Sequence, residues 1–449
     1  MKFSICLLLV SISIITFAGC QPNTTETSLP LAPQATSPPS TATPWSTITS
    51  LPATETHAPS PTPVPASPTP LPATPTPLPA THSICAAGCD YTTIQIALDD
   101  PKLAEDAVIE IRDPIHTEAG IVVNHPITFR GQGTDATILQ AHEQREAAPE
   151  RILLIEEGAE VQIESISLRH GVPSNSEECG GAIMNHGSLT LTRVVVRDND
   201  ANAGGGICNR GELSLIDSSV SYNVANGIGP VGYTCGAGGG IKCERGTLTL
   251  VNSLINDNQS MDADPFREVG VGGGVHIACN CSATFTNSTI SGNKSLKLGG
   301  GIFVHGDLTL LNCTITENIT KGEAGGVYIS GHLDFMNTII ADNSGKGGSC
   351  IVGGPGGYKG EGSIGENTNN LVRGGNCNPT FTERPILGPL ADNGGETQTH
   401  ALLPGSPAID AIPAESCKLF TDQRGEPRPV ILDSSETPCD IGAFELQAE

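Results

Sequence analysis

An acidic segment between two repeats of the chain has the residue types of a calcium site. The segment Gln259–Val271 contains Asp262, Asp264 and Glu268, together with Arg267. Carboxylate oxygens are ligands that Ca²⁺ prefers in proteins, so Asp262 and Asp264 are the candidate metal ligands. The alternative is an ordinary solvated surface loop.

Lys242 and His276 hold equivalent positions in two neighbouring repeats beside this segment. Next to a bound cation, Lys242 could act as a base or as a substrate anchor, with His276 as its hydrogen-bond partner. These two residues are therefore the candidate catalytic pair of a calcium-assisted lyase.

Basic residues precede a corner glycine in four repeats, at His186, Arg210, Arg245 and His305. Stacked repeats would align them as a basic stripe that could bind an anionic glycan. The alternative is that turns simply favour exposed polar residues.

Internal repeats predict the element that positions all these residues. Units of similar sequence begin with glycine runs near Gly180, Gly204, Gly238, Gly272, Gly299 and Gly325. Alternating apolar residues within each unit indicate strands with one buried face. A single unit cannot close a core, so the units must stack. We therefore predict an all-β fold, a right-handed parallel β-helix with three short strands per coil.

A column of asparagines supports this prediction. Stacked side-chain amides can hydrogen-bond along a column and satisfy the backbone groups of the corners. One position is asparagine in six successive units, at Asn199, Asn223, Asn258, Asn293, Asn318 and Asn343.

The composition restricts the partners of the protein. The chain of 449 residues has a net charge of −25, which argues against nucleic acid as a partner. A polysaccharide or a surface protein is the expected ligand, calcium is a possible cofactor, and we expect a monomer.

The N-terminal segment predicts export. An apolar run from Ile5 to Ile15 ends in small residues before Cys20. Residues 21–83 contain 17 of the 34 prolines, which favours an extended, disordered Pro/Ser/Thr-rich linker. The run Phe17-Ala18-Gly19-Cys20 resembles a bacterial lipobox. That resemblance implies a lipid on Cys20 and a membrane-anchored lipoprotein facing the extracellular or periplasmic side.

Thirteen of the 15 cysteines remain once Cys6 and Cys20 are set aside, and in an exported chain they indicate disulfides and one odd thiol. Spacing favours the pairs Cys85–Cys89, Cys350–Cys377 and Cys417–Cys439, while Cys208, Cys243, Cys279 and Cys281 could cross-link successive coils. A zinc site is the alternative.

The repeats resemble the pectin-lyase-like β-helix superfamily and the repeats of polymorphic outer-membrane proteins. The segment Tyr91–Leu98 resembles the N-terminal cap helix of that superfamily. Motifs at Leu387–Gly395, Asp422–Gly425 and Cys439–Glu445 resemble the C-terminal region of choice-of-anchor surface proteins. We expect a signal peptide at 1–19, a lipidated cysteine and linker at 20–83, a β-helix at 84–380 and a C-terminal cap at 381–449.

The resemblance does not supply an activity, because the coils lack the Arg-x-Pro-x-x-Arg run of the lyases. The leading hypothesis is a surface β-helix that binds glycan or protein ligands in adhesion or envelope display. The alternatives are a polysaccharide lyase or glycoside hydrolase, and a structural spacer.

Overall fold

Parallel pairing of each strand with its equivalent one repeat later organises the protein. The computed structural model describes residues 79–175, 179–227, 237–261, 270–353, 362–428 and 438–447. From the first of these residues onwards the chain belongs to one compact unit. None of the helices in these ranges is long and apolar enough to cross a membrane.

The strands are short and follow one another at regular intervals. In the first part of the chain they are β1 Thr81–Ile84, β2 Val108–Ile111, β3 Ile115–Thr117, β4 Ile121–Val123, β5 Ile127–Arg130, β6 Ile138–Gln140, β7 Leu153–Ile155, β8 Glu160–Glu164, β9 Ser167–Arg169, β10 Ile183–Asn185, β11 Ser188–Thr192, β12 Val195–Arg197 and β13 Asp200–Ala201. The central repeats contain β14 Ile207–Asn209, β15 Glu212–Ile216, β16 Ser219–Ser221, β17 Val224–Ala225, β18 Ile241–Val251, β19 Leu254–Asn256, β20 Gln259–Ser260, β21 Val275–Thr286, β22 Thr289–Ser291 and β23 Lys294–Ser295. The remaining strands are β24 Ile302–Val304, β25 Asp307–Leu311, β26 Thr314–Thr316, β27 Ile319–Glu323, β28 Val327–Ile329, β29 His332–Met336, β30 Ile339–Ala341, β31 Ser344–Lys346, β32 Cys350–Val352, β33 Ser363–Thr368, β34 Leu371–Val372, β35 Leu387–Ala391 and β36 Thr399–Leu402.

These strands form three long parallel sheets and one antiparallel pair, β35 with β36. Sheet A has 18 strands and holds the first two strands of each coil, such as β10 and β11. Sheet B has 10 strands, including β12, and sheet C has 6, including β13. The stacking confirms the predicted parallel β-helix. The expected three strands per coil are wrong for the central coils, which have four, because most strands of sheet C are too short to show an alternating pattern.

The equivalent apolar residues of successive repeats form columns, and these columns make up the core of the β-helix. Ile183, Ile207 and Ile241 pair in direct register, and Val275, Ile302 and Val327 continue the same column. All six side chains are fully buried. Because each coil shares its core face with the coil above and below, the stacked coils bury one continuous core.

The asparagine column forms the expected ladder. Each side-chain Nδ2 donates to the Oδ1 of the next asparagine at 2.9–3.0 Å, from Asn199 through to Asn343. Each Oδ1 also accepts from the backbone N–H of the preceding asparagine in the ladder, as in Asn258 N to Asn293 Oδ1 at 3.0 Å. The ladder thereby satisfies corner backbone groups that would otherwise be buried without partners.

A second ladder runs along the corner between sheets A and B. Ser218, Ser253 and Ser288 each accept a backbone N–H from the preceding coil through the side-chain oxygen. In the next coil this position is Cys313, a buried free cysteine whose N–H donates to Thr338. The sequence pattern alone did not predict this ladder.

The N-terminal end begins earlier than predicted. Strand β1 pairs in parallel with β2, so residues from Thr81 onwards belong to the β-helix and not to the linker. The cap helix α1 spans Ile94–Leu98, with the Thr93 hydroxyl accepting from Ile96 N at its start. Ile94 and Ala97 are buried and close the end of the core.

The C-terminal region is not confined to the end of the β-helix, contrary to the expected cap. This region contains residues 381–428 and 438–447, and we call these two segments together the arm. The arm lies along the outer face of sheet B: Thr289 donates to Gln423 at 2.6 Å, and Ser291 bonds His400 at 2.8 Å. Ile339 and Leu371 of the sheet pack against Ile441 and other apolar arm residues. The arm therefore covers one face of the later coils.

Five disulfides join described cysteines, and three of them are the pairs favoured by spacing: Cys85–Cys89, Cys350–Cys377 and Cys417–Cys439. Two further bonds link coils, Cys179–Cys208 and Cys243–Cys281. Cys279 is also disulfide-bonded. These bonds account for the cysteines that the zinc alternative would have used.

Candidate functional site

A cleft of about 680 Å³ opens on the outer side of sheet A. Its lining combines apolar, basic and acidic side chains: Gly120, Val122, Glu150, Arg151, Leu154, Cys179, Met184, His186, Asn202, Ala203, Arg210, Lys242 and Glu244. Its lining residues come from β4, β7, β10 and β18, and from Arg210, which directly follows β14 in the same stack of strands. We call this feature the cleft.

Strand register builds the floor of the cleft. The residues that flank the middle position in these strands are fully buried, as Ile121 and Val123 are in β4 and Ile183 and Asn185 are in β10. These middle residues stack in register as Val122, Leu154, Met184, Cys208 and Lys242. The Cys179–Cys208 disulfide joins this column to the corner that precedes β10.

Glu244 connects two cations at one end of the cleft. Its carboxylate lies 2.6 Å from Lys242 Nζ and also accepts from Arg210 Nε. Burial opposes ionisation of Glu244, but the charges and hydrogen bonds of Lys242 and Arg210 outweigh it and lower the pKa of this carboxyl. Glu244 is therefore ionised and holds both cations in fixed positions.

Arg151 is the cation of the other half of the cleft. Only 8% of its side chain is exposed, and Nη1 donates to the Cys179 carbonyl at 2.9 Å. Its Nε lies 3.2 Å from Glu150, which also accepts from Ser174. Burial opposes ionisation of Glu150, but these hydrogen bonds and the charge of Arg151 prevail and lower its pKa. Sequence reasoning missed Glu150, Arg151 and Glu244, because they lie where the repeats lose their regular spacing.

The predicted basic stripe is only partly formed. His186 and Arg210 follow the paired residues Asn185 and Asn209, and Arg245 Nε donates to Arg210 O at 3.1 Å. The uncharged Asn280 is in strand register with Arg245, and His305 follows only in the next coil. Burial and the nearby arginines lower the pKa of His186, and burial lowers that of His305. Both imidazoles are therefore neutral at pH 7. Arg210 and His186 line the cleft, whereas Arg245 and His305 do not.

Lys242 and His276 lie side by side in register, as the repeats predict. They do not form the expected hydrogen-bonded pair, since neither ring nitrogen of His276 has a partner among the described residues. Burial, and to a smaller extent Lys242 and His305, lower the pKa of His276 to about 3. The physical reason is an apolar environment: the ring lies 5.2 Å from that of Phe303, which packs in one buried cluster with Val271 and Leu298.

The candidate calcium ligands Asp262 and Asp264 lie outside the described residues, as does the candidate lipidation site Cys20. Among the described residues, ligand atoms of Cys179, Cys208 and Glu244 lie within 4.8 Å of one another. The two sulfurs are consumed in a disulfide, and Glu244 already pairs with two cations, so this group does not fit a metal ion.

Comparison with known proteins gives a likeness of fold. No protein-family model matches the sequence, and no curated protein matches it. The solved structures include the pectate lyase Pel9A, at 13% identity and a TM-score of 0.41 over 82% of this chain and 98% of that one. The A-module of the Azotobacter vinelandii mannuronan C-5 epimerase AlgE4 matches at 11% identity and a TM-score of 0.24, over 65% and 95%.

The third structure is ORF18 of Geobacillus virus E2, at 11% identity and a TM-score of 0.31. That match covers 65% of this chain and 54% of the viral protein, about half of its length. At these identities the likeness concerns the fold alone. The strand pairing described above identifies the chain as a parallel β-helix protein.

Proposed function

We propose that this protein is an exported, lipid-anchored β-helix that binds an anionic glycan in the cleft, in adhesion or envelope display. The observation that carries the proposal is the convergence of Arg151, Arg210 and Lys242 in one concave site. Cation-lined clefts concentrate anionic ligands.

The charge of the cleft contrasts with that of the chain. Among the described residues that line the cleft, the cations Arg151, Arg210 and Lys242 outnumber the carboxylates Glu150 and Glu244. The whole chain has a net charge of −25. A carboxylate or sulfate group on a ligand can therefore bind here by charge-assisted hydrogen bonds, whereas most of the protein repels it.

The geometry supports binding more than the lyase alternative. A lysine that acts as a base needs an available lone pair, but Lys242 Nζ lies 2.6 Å from an ionised carboxylate. The proposed partner His276 is only 2% exposed and does not line the cleft. The disulfides support export, because such bonds persist in oxidising compartments.

Binding of defined polymers to the full-length chain tests the proposal. Polygalacturonate and dextran sulfate are the anionic probes, and neutral dextran is the control, each with and without calcium. We expect at least one anionic polymer to bind, and Arg210→Gln to weaken that binding about tenfold or more, the effect of losing a charged hydrogen bond. The matched control is Arg384→Gln, since Arg384 is 66% exposed and lies outside the cleft.

Equal effects of the two substitutions would contradict the cleft as the binding site, and binding of neutral dextran alone would contradict an anionic ligand. The same samples are monitored for unsaturated sugar products. Their release by the wild type would replace the binding proposal with the lyase alternative.

A further inference from the structure

The last strand of sheet A along the chain, β33, has an irregularity opposite β29. The register between these two parallel strands shifts between Leu333 and Phe335, so that β33 has one additional residue opposite Asp334. Such a β-bulge bends the strand and redirects the side chains around it, and bulges are over-represented next to active sites. At this bulge Asp334 Oδ1 accepts from the backbone N–H of Glu366 at 2.6 Å.

A serine, a histidine and an aspartate meet beside the bulge, outside the cleft. His332 and Ser363 pair in direct register on the two strands, and Ser363 Oγ lies 2.8 Å from His332 Nδ1. The other ring nitrogen, Nε2, lies 3.4 Å from Asp334 Oδ1. A carboxylate only accepts hydrogen bonds, so the ring proton is on Nε2 and the lone pair of Nδ1 faces the serine hydroxyl. The imidazole is therefore held in the tautomer that can remove a proton from Ser363.

The contact between the imidazole and the carboxylate depends on a glycine in the bulge. A Cβ atom at Gly365 would overlap Asp334 Oδ1 and would lie 2.9 Å from His332 Nε2. The same face is accessible: the side chains of His332 and Asp334 are 38% and 35% exposed, and Ser363 is exposed. A substrate can therefore reach the serine hydroxyl from solvent.

The backbone next to Ser363 offers a donor for a developing negative charge. The N–H of Ser363 donates to Gly331 O at 2.8 Å, toward β29. Successive backbone groups of a strand point to opposite edges, so the N–H of Ile364 points away from β29. That edge of β33 has no strand partner among the described residues. The N–H of the residue after a nucleophilic serine is a known donor to the oxyanion of acyl transfer.

We propose that this site hydrolyses carboxylic esters, with Ser363 as nucleophile, His332 as base and Asp334 as the residue that positions the imidazole. The activity is independent of glycan binding in the cleft. An exposed site offers little apolar surface to a long acyl chain, so esters of short acyl groups are the expected substrates.

The reaction needs no reagent other than water. Ser363 Oγ bonds to the carbonyl carbon while its proton moves to His332 Nδ1, and the Ile364 N–H donates to the carbonyl oxygen. The bond to the alcohol then breaks, the alcohol takes that proton, and the acyl group stays on Ser363. Water attacks the acyl carbon and gives a proton to His332 Nδ1, and Ser363 Oγ leaves with this proton as the carboxylic acid is released.

Hydrolysis of p-nitrophenyl acetate by the full-length chain tests the proposal. We expect activity above the buffer rate, and a loss of about tenfold or more in both Ser363→Ala and His332→Gln. The matched control is Ser344→Ala, since Ser344 is an exposed serine of β31 outside this site and should keep the wild-type rate. p-Nitrophenyl octanoate should react more slowly than the acetate, and a faster reaction would contradict a short acyl group. Thermal unfolding of each variant verifies that it is folded.

Two further measurements separate chemistry from a structural role. A fluorophosphonate probe, which bonds to an activated serine oxygen with loss of fluoride, should label Ser363, as located by peptide mass spectrometry. Asp334→Asn should lower kcat and leave KM unchanged, and Asp334→Glu should recover part of the rate. Equal rates of folded wild type and Ser363→Ala, or labelling that does not include Ser363, would overturn the inference and leave the proposed function of the cleft intact.

Discussion

His276 pairs in parallel register with Lys242, and its ring nevertheless has no hydrogen-bond partner among the described residues. Its ring packs at a tilt of 39° against that of Phe303, on which Tyr328 stacks in turn. The imidazole of His276 must stay neutral in this apolar environment, because its charged form would lose its hydration and would lie beside the charge of Lys242.

This arrangement predicts acid sensitivity. The pKa of His276 falls from 6.5 in the unfolded chain to about 3 in the folded protein. Between these values the unfolded chain binds a proton that the folded protein does not, so stability is complete above pH 6.5 and decreases as the pH falls. The limiting slope is about 1.4 kcal/mol per pH unit.

His276→Phe should remove this contribution and extend the aromatic column. We expect its thermal unfolding midpoint to rise above that of the wild type by an amount that grows from pH 7 to pH 4. Tyr328→Phe is the control, since it removes no group that titrates in this range. A difference between His276→Phe and wild type that is the same at both pH values would contradict the burial of a neutral imidazole.

Asn293→Ala should destabilise the protein strongly for so small a change. Asn293 Nδ2 donates to Ile255 O, Ser291 O and Asn318 Oδ1, and its Oδ1 accepts from the backbone and side chain of Asn258. Each buried group left without a partner costs about 1–3 kcal/mol. Chemical denaturation measures the loss, with the exposed Asn280→Ala as control. Equal stability of the two variants would show that the ladder contributes nothing measurable.

Cys313→Ser should be tolerated, whereas Cys313→Val should not. The Cys313 Sγ lies 3.3 Å from Phe285 O, in the position that serine occupies in three preceding coils. Burial raises the pKa of this thiol to about 12, so it is unreactive while the protein is folded. Valine has the right volume but no polar atom, and we expect it to lower stability by about 1–3 kcal/mol. If both variants unfold at the same temperature, a polar side chain at position 313 is not required for the stability of the serine ladder.

Arg428→Met should release the arm. Arg428 Nη1 lies 2.7 Å from Glu445, both side chains are at most 4% exposed, and the guanidinium also binds the carbonyls of Asp440 and Gly442. Removing one partner of a buried pair costs about 3–5 kcal/mol. Limited proteolysis should then cleave the arm at an earlier time than it cleaves the coils. The double variant Arg428→Met/Glu445→Met should lose less than the sum of the single losses, and strict additivity would argue against coupling of the pair.

Cys20→Ala should move the protein from the membrane fraction to the soluble fraction after cell lysis. The reason is that one acyl-modified cysteine at the end of the apolar run is the expected anchor. Immunodetection in separated fractions measures the shift, and Cys313→Ser serves as the control for loss of a cysteine. Continued tight membrane association of Cys20→Ala would contradict the lipoprotein hypothesis.

The repeated pattern allowed the fold to be predicted from the sequence. Ile183, Ile207 and Ile241 could be aligned before their pairing was known, because strand alternation and coil stacking repeat one rule in every unit. The asparagine ladder followed from the same alignment. Disulfides such as Cys350–Cys377 were accessible from spacing, since the repeat length fixes which cysteines can meet.

Only the tertiary structure decided what these positions do. The sequence put Lys242 beside His276, but the apolar environment of His276 includes Phe303, which packs with Val271 and Leu298 from other corners, and no local pattern reveals this packing. Glu244 enters the cleft at an irregularity within β18, where the register shifts between Cys243 and Arg245, and Arg151 enters it from the segment before β7. The arm covers sheet B through contacts between residues more than 100 positions apart, such as Ser291 with His400 at a separation of 109. The periodic sequence determines which residues stack in register. Which outer faces of the sheets become buried depends on segments whose sequence is not periodic.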